Sequence, residues 1–393
     1  MHIVFVSYHY WPPKFGGELL ISIERGKELA RRGHKVTVLT SGVPGYDRRE
    51  MDDGIEIYRS PIVHSSRAGR GLRRLLFPVW ASHWLNNHPV DAVHLAGTGG
   101  IDPISTNLGA AWVNHTAHRH GAHTAWVHSL ADTDQETFAT RGWGCRWRQV
   151  FLNRVDHIVS VSPALHRGVA QVFPDKAVQI VCGVRNDLFT PLPAHERAGK
   201  REKLGIPENA VVFVFLGSVT RRKGFDILAQ AFADLGAVYP NWRLWVIGPR
   251  SRQENQNIDE TEVNRICTPL IGYNNQVYYW GRVDNRTDLA ALLSLADIFI
   301  FPSILEGMGL APVEAMAAGT PVIISRLPGV TDVACIDGYT GLFVVPGDVD
   351  SLKVAMKILG EQPELRQRMG MAAVRRVQEA FGWQSFVDAW EKL

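Results

Sequence analysis

The sequence predicts an α/β protein built from two doubly wound parallel sheets. Short apolar runs alternate with segments of helical periodicity up to Val161, and the same alternation restarts at Val211 after a polar stretch. Strands that alternate with helices in this way form parallel sheets covered by helices on both faces. The length of 393 residues also exceeds what one hydrophobic core normally supports, so two domains are expected.

The first domain begins with a short, β-branched run at residues 2–7, which predicts a buried strand. A helix follows, with Leu19, Ile23 and Ala30 at helical spacing, and Gly33 ends it. Later apolar runs predict further strands at residues 35–40, 92–95, 124–128 and 157–161. We expect residues 1–189 to form this N-terminal domain.

Residues 190–203 carry two prolines and four basic residues, which favours a linker. The second domain is then expected over residues 204–382. Its predicted strands are residues 211–216, 245–248, 276–280, 298–301 and 322–325. Both domains are therefore interpreted as Rossmann-like. Ligands of such sheets lie beyond the carboxyl ends of the strands, so the two domains are expected to face each other across a cleft.

The composition argues for an ordinary globular enzyme. The net charge of +3 is too small to favour nucleic acid as a partner. The four cysteines have no CxxC spacing, which favours a reducing compartment over a disulfide framework or a zinc site. Neither a signal peptide nor an apolar run of eighteen residues is visible, so we expect a cytoplasmic protein.

The most informative segment places two carboxylates, Glu306 and Glu314, eight residues apart around a glycine turn. Pro312 suits the first position of a helix, and Gly319 suits the position after its end. Amides at such a helix start favour an anion such as a diphosphate, while the carboxylates would accept hydrogen bonds from hydroxyls. The alternative is structural, with Glu314 as the third residue of the helix and Glu306 as a solvated loop residue.

This segment, together with residues 315–323, resembles the EX7E signature of the retaining family 4 glycosyltransferases, which have the GT-B fold. The resemblance extends over most of the chain. It implies that Glu306 holds hydroxyls of the donor sugar and Glu314 the nucleotide ribose. The family's helix start also binds the donor, which assigns that role to Gly307, Met308, Gly309 and Leu310. In the same family the backbone near Val283 meets the base, and the last helix, residues 383–393 here, returns to the N-terminal domain.

A second loop, residues 217–224, is bounded by glycines and contains three successive cations. A site without a metal must neutralise a diphosphate with lysine, arginine and backbone amides. By resemblance this is the family's phosphate loop, in which Lys223 binds the donor diphosphate. The family commonly has arginine directly after the first glycine, where this chain has Ser218. We therefore expect Arg222 to share the charge. The alternative is a solvated helix start.

Two sites in the N-terminal domain complete the predicted set. Gly16 and Gly17 precede the first helix, and by resemblance they face the donor phosphate or the acceptor; a plain turn is the alternative. His128 ends a predicted strand and matches the family's strand-end histidine, which lies over the donor sugar. A GxGxxG fingerprint is absent, which counts against a nicotinamide enzyme. No cofactor is implied.

Three other patterns have competing explanations. The histidines from His115 to His128 could indicate zinc, but Gly121 should end a helix between them, so no metal is assigned. Asp132-Thr133-Asp134 resembles a metal-binding DxD motif of another glycosyltransferase architecture, and a solvated loop is favoured there. Residues 67–84 combine arginines with an apolar face, which is typical of a helix at a membrane surface. Pro78 interrupts that pattern, and the apolar face could equally pack on the core.

The predicted function is metal-independent, retaining transfer of a sugar from a nucleotide diphosphate sugar to a hydroxyl acceptor. Glu306, Lys223 and His128 are the predicted catalytic residues. Acceptors consistent with the pattern are a glycan, a lipid-linked molecule or a small molecule. The alternatives are a nucleotide-sugar epimerase or a sugar phosphorylase on the same architecture, or a non-catalytic sugar- or nucleotide-binding protein.

Overall fold

The computed structural model describes residues 1–7, 17–42, 45–61, 67–95, 103–128, 145–255 and 258–393. The chain divides into two compact units. Unit 1 comprises Met1–Cys182 and Phe386–Leu393, and unit 2 comprises Gly183–Ser385.

Unit 1 is an α/β layer structure around one sheet. Within the described residues the sheet has eight strands in the order β3-β4-β2-β1-β5-β6-β7-β8, and all pairs are parallel except β3 with β4. Its elements are β1 His2–Val6, α1 Gly17–Arg31, β2 Lys35–Thr40, β3 Arg49–Asp52, β4 Ile55–Arg59, α2 Arg67–Asn86, β5 Ala92–Leu95, α3 Pro103–Arg119, β6 His123–His128, α4 Cys145–Leu152, β7 His157–Ser160, α5 Pro163–Ala170 and β8 Ala177–Gln179.

Helices α2 and α3 approach closely because a glycine faces a proline where they meet. A Cβ atom on Gly109 would lie only 2.3 Å from Cγ of Pro78. Pro78 lies inside α2, and the described part of that helix buries Phe77, Trp84 and Leu85 in the core of unit 1. The apolar side of α2 from residue 77 onward therefore packs largely on the protein itself.

Unit 2 has a second doubly wound sheet. Within the described residues its six strands are parallel and follow the order β11-β10-β9-β12-β13-β14. Its elements are α6 Ala194–Lys203, β9 Val211–Leu216, α7 Phe225–Gly236, β10 Trp242–Ile247, α8 Glu260–Cys267, β11 Val277–Gly281, α9 Arg286–Leu295, β12 Ile298–Phe301, α10 Leu310–Ala317, β13 Val322–Ser325, β14 Gly341–Val344, α11 Val349–Glu361 and α12 Pro363–Ala380.

The core of unit 2 is dominated by aromatic side chains between the sheet and its helices. The rings of Phe213 and Trp242 lie 4.8 Å apart, and those of Phe215 and Phe225 lie 5.0 Å apart. All four side chains are fully buried. Because each buried side chain of this size contributes about 2 kcal/mol, the packing fixes β9 and α7, the elements on either side of the predicted phosphate loop.

The structure corrects the interpretation of residues 190–203 as a linker. Residues 194–203 form α6, which belongs to unit 2. Arg197 and Arg201 donate hydrogen bonds to backbone carbonyls at the end of α9 and form ion pairs with Asp297. These arginines satisfy the open carbonyls of α9, where the helix dipole favours cations. The basic residues that favoured a linker are thus structural anchors.

The last helix, α13 Trp383–Glu391, carries the chain from unit 2 back to unit 1. Arg32 forms ion pairs with Asp388 at 2.7 Å and with Glu391 at 2.6 Å. The guanidinium of buried Arg25 lies 3.6 Å from the ring centroid of Trp390. The end of the chain is therefore an integral part of unit 1.

Candidate active site

The two loops of interest in unit 2 meet at the topological switch point of its sheet. Strands β9 and β12 are neighbours although they are not consecutive in the chain, so the loops after them leave the same edge side by side. One leads to α7 and the other to α10. The crevice beyond the carboxyl ends of such strands is where open α/β sheets bind ligands.

Gly224 holds these two loops together. It has φ of +66° and precedes α7, and a Cβ atom there would lie 1.9 Å from the carbonyl oxygen of Pro302. Only glycine fits this contact. The amide of Ile304 also donates a hydrogen bond of 2.9 Å to the carbonyl of Arg222. Residues 217–224 and 302–309 thus form one structural unit.

Lys223 and Glu306 form an ion pair across this junction. The ammonium group of Lys223 donates to Oε1 of Glu306 at 2.5 Å, and the guanidinium of Arg222 lies 3.7 Å from the same oxygen. Glu306 is only 6% exposed, which rules out the alternative of a solvated loop residue. Arg222 is the more exposed cation, and it donates a hydrogen bond of 3.0 Å to the carbonyl of Leu305. Among the residues that the structure describes, this cluster comprises two cations, Arg222 and Lys223, and the carboxylate of Glu306.

The helix start beside this cluster differs from the sequence expectation by two residues. Helix α10 begins at Leu310, and Gly309 is its cap with φ of +76°. Pro312 is therefore the third helical residue rather than the first. By helix geometry the amides of Gly309, Leu310 and Ala311 have no acceptor within α10, and they lie at the positive end of its dipole. Gly319 does follow the helix end as expected, and it donates to the carbonyl of Met316.

Glu314 lies one turn into α10 and is 5% exposed. It is the fifth residue of the helix, so the alternative of a carboxylate at the third position is wrong. Its Oε1 accepts a hydrogen bond of 2.6 Å from Arg286, the first residue of α9. Both carboxylates of the motif are thus buried and paired with cations from other elements.

The other predicted residues of unit 2 lie at neighbouring strand ends. Val283 follows β11 and is half-buried. The preceding residue, Arg282, donates its amide to Glu254, which also accepts from the amides of Arg250 and Ser251. These hydrogen bonds lower the pKa of Glu254, although its burial opposes them. Glu254 therefore ties the loop after β10 to the loop that contains Val283.

The remaining cation of the phosphate loop points elsewhere. Arg221 pairs with Glu262 at 2.5 Å and with Asp226 at 3.3 Å, both on the surface of the neighbouring helices. Met308 and Gly307 are buried between Glu306 and the start of α10. The structure thus brings Arg222, Lys223, Glu306 and residues 307–310 together, and it leaves Arg221 outside the group.

The predicted residues of unit 1 are described only in part. Gly16 lies outside the described residues, and Gly17 is the first residue of α1. His128 ends β6 opposite Ser160, and its side chain lies outside the described part of the chain. Their roles therefore stay predictions.

The other histidines are dispersed. His118 pairs with Asp156 at 3.0 Å, and His120 contacts Asn86 at 3.0 Å. Among the side chains that the structure describes, no group of three or more His, Cys, Asp or Glu could hold a metal ion. Residues 132–134 lie outside that part. None of the helices within the described ranges is long and apolar enough to cross a membrane.

Sequence reasoning missed Arg286 and Glu254. Arg286 is 28 residues from its partner Glu314, and Glu254 is 28 residues from Arg282, so no local pattern links them. Asn285 gave the only usable signal, because it caps α9 and thereby places Arg286 at the first helical position.

Comparison with known proteins identifies the family. The model of glycosyl transferases group 1 matches residues 196–376, and the model of glycosyltransferase family 4 matches residues 23–188. A D-inositol 3-phosphate glycosyltransferase of Streptomyces scabiei is 32% identical, and the match covers 95% of this chain and 85% of that protein.

Solved structures show the same fold. A sucrose-phosphate synthase from Thermosynechococcus elongatus has a TM-score of 0.81 at 23% identity, over 100% of this chain and 97% of that one. Anabaena HepE in complex with UDP-glucose has a TM-score of 0.74 at 16% identity, over 100% of both chains. The chain therefore belongs to glycosyltransferase family 4, and it is a GT-B enzyme that transfers a sugar from a nucleotide-sugar donor to an acceptor.

Proposed function

We propose that the chain is a retaining glycosyltransferase that uses a nucleotide diphosphate sugar and needs no metal ion. The observation that carries this proposal is the position of Lys223 and Glu306. They pair at 2.5 Å where the loops after β9 and β12 meet, directly before the start of α10. Cation, carboxylate and free helix amides are then all available to one ligand at the switch point of the sheet.

The donor diphosphate is received at the start of α10. The amides of Leu310 and Ala311 and the helix dipole favour its negative charge. Within the described part of the cluster, Lys223 and Arg222 together carry more charge than Glu306 neutralises, and this leaves positive charge for the departing diphosphate. Such preorganised donors and charges stabilise a leaving group without rearrangement. Arg222 thereby supplies the charge that the family obtains from the residue occupied here by Ser218.

Glu306 receives the hydroxyls of the donor sugar beside that diphosphate. A carboxylate that is paired with Lys223 through Oε1 is held in one orientation. It can still accept hydrogen bonds from a ligand, because each carboxylate oxygen has two lone pairs. No dedicated nucleophile is assigned, and substitution occurs on the face from which the diphosphate leaves. The departing phosphate then helps to take the proton of the acceptor hydroxyl.

The experiment that tests this function begins with a thermal-shift screen of UDP, GDP, ADP and TDP sugars. The true donor raises the melting temperature by mass action. With that donor and a panel of hydroxyl acceptors, NMR of the product should show the donor's anomeric configuration preserved. Activity that is lost with EDTA and restored by divalent ions, or a product with inverted configuration, would overturn the proposal.

We also propose that residues 67–84 contact a membrane surface, because such contact would suit a lipid-linked acceptor. Part of the apolar side of α2 is already packed in unit 1, but Val79 is exposed. Flotation with vesicles of phosphatidylglycerol tests it, with Val79→Asp as the variant. Absence of the wild-type protein from the vesicle fraction would contradict it.

A further inference from the structure

Arg286 is held in place from three sides. It begins α9, which Asn285 caps through hydrogen bonds to the amides of Thr287 and Asp288. Its guanidinium lies 4.7 Å from the ring centroid of buried Phe189, and it donates to Oε1 of Glu314 at 2.6 Å. A side chain with three such restraints is preorganised rather than free to sample rotamers.

The two oxygens of Glu314 have different environments. Oε1 is engaged by Arg286. Within the described ranges the structure gives Oε2 no hydrogen-bond partner. Although Glu314 as a whole is 5% exposed, Oε2 is not among the described side-chain atoms that are sealed from solvent without a partner. This oxygen therefore remains open to a ligand that donates a hydrogen bond to it.

We propose that Arg286 is a positioning residue that fixes Glu314 so that Oε2 alone receives the ribose hydroxyls of the donor nucleotide. This inference rests on the proposed function, in which the diphosphate lies at the start of the same helix. Arg286 also compensates the charge of Glu314, which would otherwise repel the nearby diphosphate. The residue thus contributes to ribose recognition without touching the nucleotide.

The test compares ribose with deoxyribose in the wild-type protein and in Arg286→Gln. The probes are UDP, GDP and ADP, and the tightest binder is then compared with its 2′-deoxy and 3′-deoxy forms by calorimetry. In the wild type, loss of a hydroxyl should weaken binding roughly tenfold, the value of one hydrogen bond to a charged group. In Arg286→Gln the ribonucleotide should bind roughly fivefold more weakly. The ratio of the Kd of the deoxyribonucleotide to the Kd of the ribonucleotide should then fall towards one.

Three further variants separate a positioning role of Arg286 from general effects on folding and charge. Arg286→Lys keeps the positive charge and should restore part of the preference for the ribonucleotide over its deoxy forms. Arg265→Gln removes a surface arginine that pairs with Glu262 in the same unit, and it should leave the ratio unchanged. Arg286→Met keeps the apolar stem against Phe189 and gives the same measurement if Arg286→Gln does not fold.

The outcomes distinguish the two proposals. Wild-type protein that binds none of the three diphosphates and does not bind TDP either would remove the proposed function, and the role of Arg286 with it. Binding of TDP alone, whose sugar lacks the 2′-hydroxyl, would overturn the role of Arg286 alone. Wild-type protein that prefers ribose, while Arg286→Gln and Arg286→Met keep the same preference, would overturn the role of Arg286 alone.

Discussion

Replacing Lys223 by methionine should separate the structural and the catalytic consequences of its pair with Glu306. The side chain of Glu306 is 8% exposed and that of Lys223 is 18% exposed. Removing one partner of a fully buried ion pair costs about 3–5 kcal/mol. Because Lys223 is partly solvated and Arg222 remains 3.7 Å from Glu306, we expect about 2 kcal/mol for Lys223→Met.

Glu306→Gln and the double variant test whether the contributions of Lys223 and Glu306 to stability depend on each other. Glu306→Gln should cost about 1 kcal/mol, because the remaining ammonium group can turn towards water. The double variant should lose less than about 1 kcal/mol, since two neutral groups of similar shape leave no charge unpaired. Unit 2 has about 200 residues, so Lys223→Met should lower its melting temperature by about 5 °C. The control is Lys353→Met, which removes the contacts of a surface lysine with Asp234 and Asp350 and should leave the melting temperature of unit 2 unchanged.

Activity should behave differently from stability. Each single variant and the double variant should lose about a hundredfold or more in kcat/KM, because each removes a group that stabilises the transition state. The assay is release of nucleoside diphosphate with the donor found by thermal shift, alongside denaturant unfolding. If the double variant lost as much stability as the two single variants together, Lys223 and Glu306 would not stabilise each other as a buried ion pair. Near-normal turnover in any of the three would refute the assigned role.

Further predictions concern packing and pH. Gly224→Ala should destabilise unit 2 by more than about 2 kcal/mol in urea unfolding, because the added Cβ would collide with the carbonyl of Pro302. The control is Gly205→Ala, where φ is also +66° but the space around the residue is open. This control should cost only about 1 kcal/mol. Arg201→Ala should cost about 2–3 kcal/mol, since it leaves the carbonyl of Ala210 without its arginine donor, removes one of the two arginine donors to Leu295 and breaks the ion pair with Asp297. A loss below about 0.5 kcal/mol, on the order of a surface change, would contradict the anchor role of α6. Burial, helped by the charge of Arg25, lowers the pKa of His94 well below 6.5. Folded His94 thus stays neutral while the unfolded chain takes up a proton, so stability should fall by about 1 kcal/mol from pH 7.5 to 5.5, and His94→Leu should remove that part of the slope.

Much of the fold was predictable because buried parallel strands have a simple signature. The runs that end at Leu216 and Phe301 are short and almost wholly apolar, and the structure gives β9 and β12 the predicted limits. By contrast, β3 and β4 were missed, because the hairpin of residues 49–59 mixes charged and apolar residues at the edge of its sheet. Helix α6 was missed because arginine hydrogen bonds, rather than an apolar face, attach it to unit 2.

In the candidate site, too, local features were predictable from the sequence and contacts between distant residues were not. Glycine and proline spacing identified the turn before α10, but the helix starts at Leu310 because Gly309 adopts a left-handed conformation that a sequence does not reveal. The ion pairs of the two carboxylates were also hidden. Lys223 and Glu306 are 83 residues apart, and only the switch-point topology brings them together. Motifs therefore nominate candidate residues, whereas the residues that pair with them follow from the fold.

The position of a bound nucleoside diphosphate tests the central claim most directly. The crystal structure of the complex with the tightest-binding diphosphate should show its phosphates at about 3 Å from the Leu310 and Ala311 amides, with Lys223 in contact with them. A diphosphate bound away from the start of α10, or coordinated through a metal ion instead of Lys223, would contradict the claim.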